Sequence, residues 1–501
     1  MYRFEKKLLF ILACLLPLSI VSQIQGVAYT TVGKGVATTF VSDYHCLGIN
    51  VSALGWERPY EKYKFTAGGF EANGGIYSEA LTSARLRSFA KTLYGQARRT
   101  EELDWEKQRE TAAQYAEKGI ALDANYNWGG ISFQGKLLGG IAFNVVESYS
   151  WYSRLNENLS DLVFRGKIAP YFDSLTVVFG ADTSRIMNHE GISDDTLGNV
   201  VLGTISVPLK ISELTRGSSI RMLWNRSYNL AYGRKVFGIG EGISLYAGLG
   251  GRIIHSMAMF QFDSDARGVR MLSSLTPSFG IDYGDVALSN PTSILNYNDH
   301  GLPPVVGNGF GVDAAVSATL MGNKVRLALA LNNVGWVTYK HNLYQIRDTL
   351  VGSIGFNGIK NENVMKSLEK MLSSDGLLTL VGQEEFRLAN PANVRIGASF
   401  HPFDRFSIGI DLVAPFNRDN PGSIQNFVFS SGMEVRPLKW LHISVGFLGG
   451  GLYQTNVPCG VNFVLKGGKY EFGIASRDAL TFFSTESNTV SGALGIARFR
   501  F

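Results

Sequence analysis

The stretch Leu122-Asp123-Ala124-Asn125-Tyr126-Asn127-Trp128 alternates apolar and polar side chains one by one. Successive side chains of a β-strand point to opposite faces, so this pattern predicts a strand with one apolar and one polar face. The same alternation returns in 219–233, 325–339, 392–402 and 405–415. Several runs reach about 10 to 15 residues, whereas strands of soluble proteins average ~5–6 residues. Long strands of this kind are typical of a barrel that crosses a membrane.

The alternation predicts an all-β transmembrane antiparallel barrel of fourteen strands. Six tight connections, among them Gly135-Lys136 and Gly467-Gly468, all follow even-numbered strands. Short periplasmic turns belong there if both chain ends are periplasmic. The segment 269–284 is expected to form a hairpin within an external loop. The strands are predicted at 62–77, 120–134, 138–153, 219–233, 243–263, 309–320, 325–339, 392–402, 405–415, 426–436, 441–452, 458–466, 469–481 and 489–501.

The N-terminus predicts export. Arg3, Lys6 and Lys7 precede an apolar run from Leu8 to Val21. A run of about 14 apolar residues is shorter than the ~20 that span a bilayer, and it fits a signal peptide. We therefore expect residues 1–22 to be a signal peptide and the mature chain to reside in the outer membrane of a Gram-negative bacterium.

The composition excludes several classes of protein. Glycine accounts for 57 of 501 residues and charged residues for only 18%, and no second long apolar run follows, which excludes a helical membrane protein. The net charge of +5 is not clustered, so a nucleic-acid partner is not expected. No metal or other cofactor is predicted, because the histidines are scattered and no Cys-x-x-Cys motif occurs. Cys46 and Cys459 could be free or paired.

The last strand ends in Phe499-Arg500-Phe501. A terminal phenylalanine with a second one two residues before it resembles the signal that the outer-membrane barrel assembly machinery recognises. Phe499 and Phe501 are therefore predicted as the assembly signal, with that machinery and outer-membrane lipids as partners.

Long segments between the predicted strands form external, partly helical loops. A charged helical insertion is predicted near 80–119, and a short amphipathic helix at 361–373. Loops this long are often functional. A solvated cap without a specific ligand is an equally open alternative.

Two blocks resemble the FadL-like outer-membrane transporters and the related PorV-type barrels. The first is Gly33-Lys34-Gly35 with the segment 43–55, and the second is Asn390-Pro391-Ala392 with the strand opening that follows it. The resemblance implies a plug at 23–60 and a transmembrane barrel at 61–501. It departs at Asn50-Val51-Ser52, where the family has Asn-Pro-Ala, so the φ angle that proline would fix is free.

The resemblance and the alternation together nominate site residues. In the plug, Gly33 and Gly35 would allow positive φ and close approach to the wall. Asp43 and Asn50 are candidates for tying the plug to lumen arginines, with ordinary turn residues as an equally open alternative. The lumen residues either support the plug and wall or, as arginines, hold a ligand carboxylate. They are Asp123, Asn125, Asn127, Arg221, Arg326, Arg395, Asp411, Arg498 and Arg500.

No catalytic residue is predicted. His442-Ile443-Ser444 resembles the His-x-Ser pair of outer-membrane phospholipase, but the alternation turns His442 and Ser444 towards the lumen. Other hydrolase and phosphate-loop motifs do not occur. The resemblance implies a non-enzymatic plugged channel for small hydrophobic molecules. The alternative is a non-transporting barrel partner in type IX secretion or surface-protein assembly.

Overall fold

The computed structural model describes residues 28–57, 63–80, 104–240, 242–295, 301–358, 379–451, 455–480 and 487–501. The predicted signal peptide, the helix at 361–373 and most of the insertion near 80–119 lie outside these ranges. Fourteen strands form an antiparallel barrel. They are β1 (Phe65–Ser78), β2 (Gly119–Gly135), β3 (Gly139–Arg154), β4 (Ser219–Ile239), β5 (Ile243–Asp265), β6 (Gly307–Leu320), β7 (Val325–Tyr339), β8 (Asn393–Phe403), β9 (Phe406–Pro415), β10 (Val428–Leu438), β11 (Leu441–Gly450), β12 (Cys459–Leu465), β13 (Tyr470–Ser476) and β14 (Thr489–Arg500).

The barrel is closed by its first and last strands. Each strand pairs with the next in this order, and β1 pairs with β14 from Thr66 opposite Arg500 to Tyr77 opposite Thr489. The amide of Phe501 donates to the carbonyl of Phe65 at 2.9 Å. No strand edge of the barrel is left unpaired, as a sheet in hydrocarbon requires. The predicted fourteen-stranded antiparallel barrel is confirmed.

The alternation places an apolar belt on the outer face. Ile131, Phe143, Leu249 and Ile396 are exposed although they are large and apolar, whereas the inward neighbour Asn144 is buried. In the described ranges, no helix is long and apolar enough to span a membrane.

The two ends of the barrel differ. At the short-turn end, tight connections follow β2, β4, β6, β8, β10 and β12. The turn after β6 illustrates their chemistry, because Met321, Gly322 and Asn323 all have positive φ, between 55° and 68°. Glycine and asparagine adopt this conformation more readily than other residues.

The opposite, long-loop end carries the remaining structure. Its core packs Leu162 and Phe164 beneath a separate four-stranded sheet. The sheet strands are Ser174–Phe179, Asp182–Met187, Val200–Lys210 and Leu350–Ile354, and further strands are Gly268–Leu275, Leu343–Ile346, Leu380–Gly382, Phe386–Ala389 and Thr455–Asn456. The helices are Trp105–Tyr115, Glu157–Arg165, Asp194–Gly198, Ile211–Leu214 and Asp285–Ser289, with 3-10 turns at Gly166–Ile168 and Pro277–Phe279. At the short-turn end, a further 3-10 turn, Lys466–Gly468, connects β12 and β13.

The external region contains a sheet as well as helices and irregular loops. One expectation for this end was wrong in detail. The hairpin expected within 269–284 is instead formed by β5 and the single strand Gly268–Leu275. Gly268 has φ +128°, which lets the chain reverse directly after Asp265, so the hairpin begins earlier than the composition suggested.

Candidate functional site inside the barrel

Residues 28–57, called the inner segment from here on, lie inside the short-turn half of the barrel. The segment contains the helix Tyr29–Val32 and the 3-10 helices Tyr44–Cys46 and Val51–Gly55. The carboxylate of Asp43 begins the second of these by accepting a hydrogen bond from the amide of His45 at 3.0 Å. Gly35 reverses the chain with φ +72°, a conformation that costs glycine little.

Glycines of the wall make room for the inner segment. A Cβ added at Gly432 or Gly446 would overlap the carbonyl oxygen of Lys34. A Cβ added at Gly248 would overlap the backbone of Val51. Main chain therefore touches main chain here, and any larger residue would push the segment away from the wall.

Asp411 on β9 holds the middle of the inner segment. Its Oδ2 accepts hydrogen bonds from the amide of Ala37 at 2.7 Å and from the amide and hydroxyl of Thr38, both at 2.9 Å. Arg395 on β8, also fully buried, interacts electrostatically with this carboxylate. A buried carboxylate is stable here because donors and a cation surround it.

A second tie joins the inner segment to β14 and β13. Asp43 forms an ion pair with Arg498, which also donates to Glu471 at 2.5 Å. Arg500 donates to the same oxygen of Glu471 at 2.8 Å. Asp43, Arg498 and Glu471 are all buried. Removal of Arg498 would leave Asp43 without its arginine, whereas Glu471 would keep Arg500.

Glu71 on β1 forms a third tie. Its carboxylate accepts a hydrogen bond from the hydroxyl of Tyr44 at 2.6 Å and lies 2.9 Å from Nε2 of His45. Burial, followed by the charge of Glu71, raises the pKa of Tyr44 well above its ordinary value. The phenol therefore keeps its proton and remains a donor to the carboxylate.

The two ends of the inner segment are also bound to the wall. Lys34 forms an ion pair with Glu434 on β10. At the far end, the hydroxyls of Ser52 and of Ser317 on β6 are hydrogen-bonded at 2.7 Å, and Nε1 of Trp56 donates to the Ser317 oxygen at 2.9 Å. The inner segment is thus held by β1, β6, β9, β10 and β14, on all sides of the lumen.

Three of the larger cavities among the described residues lie inside the barrel or against its wall. The inner cavity, about 130 Å³, lies towards the long-loop end and is rich in asparagine. A second cavity of about 500 Å³ lies at the short-turn end between the segment and cations such as Arg326 and Arg436. The third, called the outer groove, measures about 1110 Å³ and runs mainly over β1, β2 and β11 to β14, where Trp128 and Leu494 contribute apolar side chains.

The other predicted lumen residues are engaged with the wall or with the segment. Asp123 pairs with Arg477 at 2.6 Å, the amide of Asn125 donates to Asn73 at 3.2 Å, and that of Asn127 donates to Glu71 at 2.8 Å. In a second set, Arg221 pairs with Asp263 at 2.8 Å, and Arg326 donates to the carbonyl of Thr39 at 3.4 Å and lies 4.7 Å above the ring of Trp56.

Two expectations for the plug candidates were wrong. Gly33 has φ −71°, in the right-handed region. Its lack of a side chain serves close approach instead, because an added Cβ would lie 2.6 Å from Cα of Gly460. Asn50 does not bond an arginine, since its amide donates to the carbonyl of Thr38 at 2.8 Å and its oxygen accepts from Ser52 at 2.6 Å. Its short side chain reaches only its own segment. The boundaries 23–60 and 61–501 stay predictions.

The terminal aromatic residues face outwards. Phe499 is exposed and stacks on Tyr470 with ring centroids 5.1 Å apart, and Phe501 is exposed at the chain end. Their part in assembly stays a prediction. Ser444 is buried, and His442 borders the short-turn cavity.

Sequence reasoning missed the acidic partners Glu71, Glu434 and Glu471. Each is an isolated acid at an inward position of a strand rich in glycine and apolar residues. An uncompensated carboxylate in such a position implies a cation or donors from elsewhere in the chain, and that signal could have identified all three.

No protein family and no curated protein matches the chain. Among solved structures, it is similar to the toluene transporter TodX of Pseudomonas putida, with 9% identity and a TM-score of 0.41 over 97% of this chain and 99% of that one. The toluene transporter TbuX of Ralstonia pickettii shows 10% identity and a TM-score of 0.41, over 96% of this chain and 99% of that one. A FadL homologue of Pseudomonas aeruginosa shows 10% identity and a TM-score of 0.36, over 96% of this chain and 97% of that one. At these identities and TM-scores the similarities carry no argument about this chain, whose barrel fold rests on its own strand pairing.

Proposed function

We propose that the protein is a non-enzymatic outer-membrane channel for small hydrophobic molecules, whose lumen is closed by the inner segment. The observation that carries the proposal is the seating of that segment. It is bound to five strands around the lumen through Glu71, Ser317, Asp411, Glu434 and Arg498. Passage of a solute then requires the segment to shift.

The outer groove supports a hydrophobic solute. Its surface is mainly apolar, and the exposed side chains of Trp128 and Leu494 contribute to it. Asn125 and Tyr149 line both the groove and the inner cavity, so only the wall separates an apolar surface from the lumen. The similar structures TodX and TbuX are toluene transporters, which makes toluene a suitable first probe.

A reversible crosslink tests the proposal. Ser52→Cys and Ser317→Cys are introduced together, with Cys46 and Cys459 replaced by alanine, because the two serine hydroxyls lie 2.7 Å apart. Oxidation then joins the inner segment to β6 if the Cβ geometry suits a disulfide. Formation of the bond is verified by mass spectrometry.

Uptake of labelled toluene is measured in Gram-negative cells, since a simple phospholipid vesicle passes hydrocarbon without a channel. We expect the oxidised double variant to fall to the uptake of cells lacking the barrel, and a reductant to restore it. Each single cysteine variant is the matched control and should not respond to oxidation. Equal uptake in the oxidised and reduced double variant would contradict gating by the segment. Uptake no higher than in empty cells, together with a stoichiometric partner in a pull-down, would favour the secretion or assembly alternative.

A further inference from the structure

The short turns of the barrel carry exposed cations. Five of the six turns contain lysine or arginine, and the sixth, 240–242, contains Glu241 instead. Among the described residues of these turns, Asp404 is the one acid. The turns are spaced around the whole rim, because successive strands are neighbours in the barrel. The exposed cations of the turns are Lys136, Lys324, Arg405, Lys439, Lys466 and Lys469.

These six cations form no ion pair within the described ranges. At the long-loop end, by contrast, exposed cations such as Arg267 and Lys340 do have partners, Asp265 at 2.8 Å and Glu385 at 3.0 Å. Lys324 also borders the short-turn cavity, whereas the other five turn cations line none of the three cavities described above. These five, called the rim cations from here on, are therefore available to a partner outside the barrel.

Exposed apolar side chains accompany the rim cations. Leu137, which follows Lys136, is 91% exposed, and Phe403, two residues before Arg405, is 62% exposed. Cationic and aromatic residues are favoured where membrane hydrocarbon meets the lipid headgroups, because the charge reaches the headgroups while the apolar part stays in the hydrocarbon. The rim therefore has the composition of a membrane interface. The exposed apolar neighbours of the rim cations are Leu137, Phe403, Leu438, Trp440 and Leu465.

The arrangement of the rim cations distinguishes a lipid from a protein partner. Short turns of outer-membrane barrels lie at the periplasmic face, at the level of the headgroups of that leaflet. Lipid surrounds a barrel on all sides, and the rim cations are spread in the same way. A soluble acidic protein would cover one sector of the rim and would not require an apolar side chain beside each charge. Anionic phospholipids attract lysine and arginine that lie near the membrane surface.

We propose that the rim cations bind the phosphate groups of anionic phospholipids in the periplasmic leaflet. The guanidinium of Arg405 and the lysine ammonium groups donate charge-assisted hydrogen bonds to phosphate oxygens, and the neighbouring apolar side chains pack against the acyl chains. The contact holds the short-turn end at a fixed depth in the membrane. It depends on the barrel crossing the membrane and not on transport through it, so the proposed channel function is tested separately.

The test measures lipid selectivity in phosphatidylcholine vesicles that contain the full barrel and a trace of spin-labelled lipid. Electron spin resonance separates the lipid held at the protein surface from free lipid. We expect spin-labelled phosphatidylglycerol to associate about fivefold more strongly than spin-labelled phosphatidylcholine at the rim, the effect of one contact of about 1 kcal/mol. Averaged with the lipids at the other end of the barrel, the preference is about threefold. It should fall as the Debye length drops from ~10 Å in 0.1 M salt to ~3 Å in 1 M salt.

A rim variant with all five rim cations replaced by glutamine should lose the preference for phosphatidylglycerol. The matched control removes as many charges at the long-loop end, from cations that are between 49% and 90% exposed, and should keep the preference. The control substitutions are Lys107→Gln, Arg109→Gln, Arg267→Gln, Lys340→Gln and Arg387→Gln.

Lys466→Gln with Lys469→Gln repeats the test if the rim variant does not insert, and the salt comparison on the native protein needs no variant. Equal association of the two lipids with the native protein, or an equal preference in the rim variant and its control, would overturn the proposal. Retention of an acidic periplasmic protein by the native rim but not by the rim variant, without any lipid preference, would assign the rim cations to that protein instead.

Discussion

Replacing Asp411 by alanine should release the middle of the inner segment. The carboxylate is the acceptor for three hydrogen bonds from Ala37 and Thr38, at 2.7 to 2.9 Å. It also faces Arg395, which is fully buried. The change removes all three bonds and leaves a buried guanidinium without its anion.

Removing one partner of a buried, hydrogen-bonded charge pair costs about 3–5 kcal/mol. Three bonds to a charged acceptor, at ~1.5–3 kcal/mol each, would sum to more, but water can reach the donors once the segment shifts. We therefore take about 3–5 kcal/mol as the loss in docking free energy of the segment. At ~1.4 kcal/mol per factor of ten, the ratio of open to closed barrels rises at least about a hundredfold.

Single-channel recording in planar bilayers measures this ratio for folded protein. Asp411→Ala should show frequent or lasting openings where the native protein is mostly closed, and Asp411→Asn, which keeps one acceptor oxygen, should lie between them. Asp419→Ala changes an exposed carboxylate at the long-loop end and should behave like the native protein. An open fraction of Asp411→Ala within twofold of the native value would refute the reasoning that docking is held by this carboxylate.

Two further predictions concern other contacts of the inner segment. Gly446→Ala should destabilise its docking by about 1–3 kcal/mol through overpacking against the Lys34 carbonyl, seen as faster proteolysis of the segment. Gly492→Ala is the control, because an added Cβ there meets nothing within 4 Å, and equal proteolysis of the two variants would contradict the packing argument. Arg498→Met should lower the free energy of unfolding by about 3–5 kcal/mol, because Asp43 loses its cation. The shift is measured by heat-dependent gel mobility, and an unchanged transition would argue against this ion pair.

The barrel strands could be predicted because their signal is local. The predicted bounds of β7 agree with those observed, although the alternation is interrupted at Asn332 and Asn333, which are both buried. β4 extends to Ile239 although the prediction ended at 233. The charges of Arg234 and Lys235 interrupt the alternation there, and the strand pairing shifts between Lys235 and Phe237.

Other elements escaped prediction for reasons that are also local. The sequence predicts a loop where the structure has an external hairpin. The hairpin consists of the strands Ser174–Phe179 and Asp182–Met187, and its turn contains Gly180 with φ +60°. Its two strands are only six residues long. Runs this short show too little alternation to stand out from an irregular loop when the other strands are much longer. A two-residue loop that begins with glycine, Gly180-Ala181, between two short runs of apolar and β-branched residues is the signal that could have identified it.

Period-two alternation, read along the sequence alone, determined the number of barrel strands and which side chains face the lumen, because a strand's two faces are set by its own residues. Only the tertiary structure decided what fills the lumen and which charges meet there. Asp43 and Arg498 are 455 positions apart, and Lys34 and Glu434 are 400 apart. No local pattern records such pairs, since closure of the barrel and the path of the inner segment bring them together.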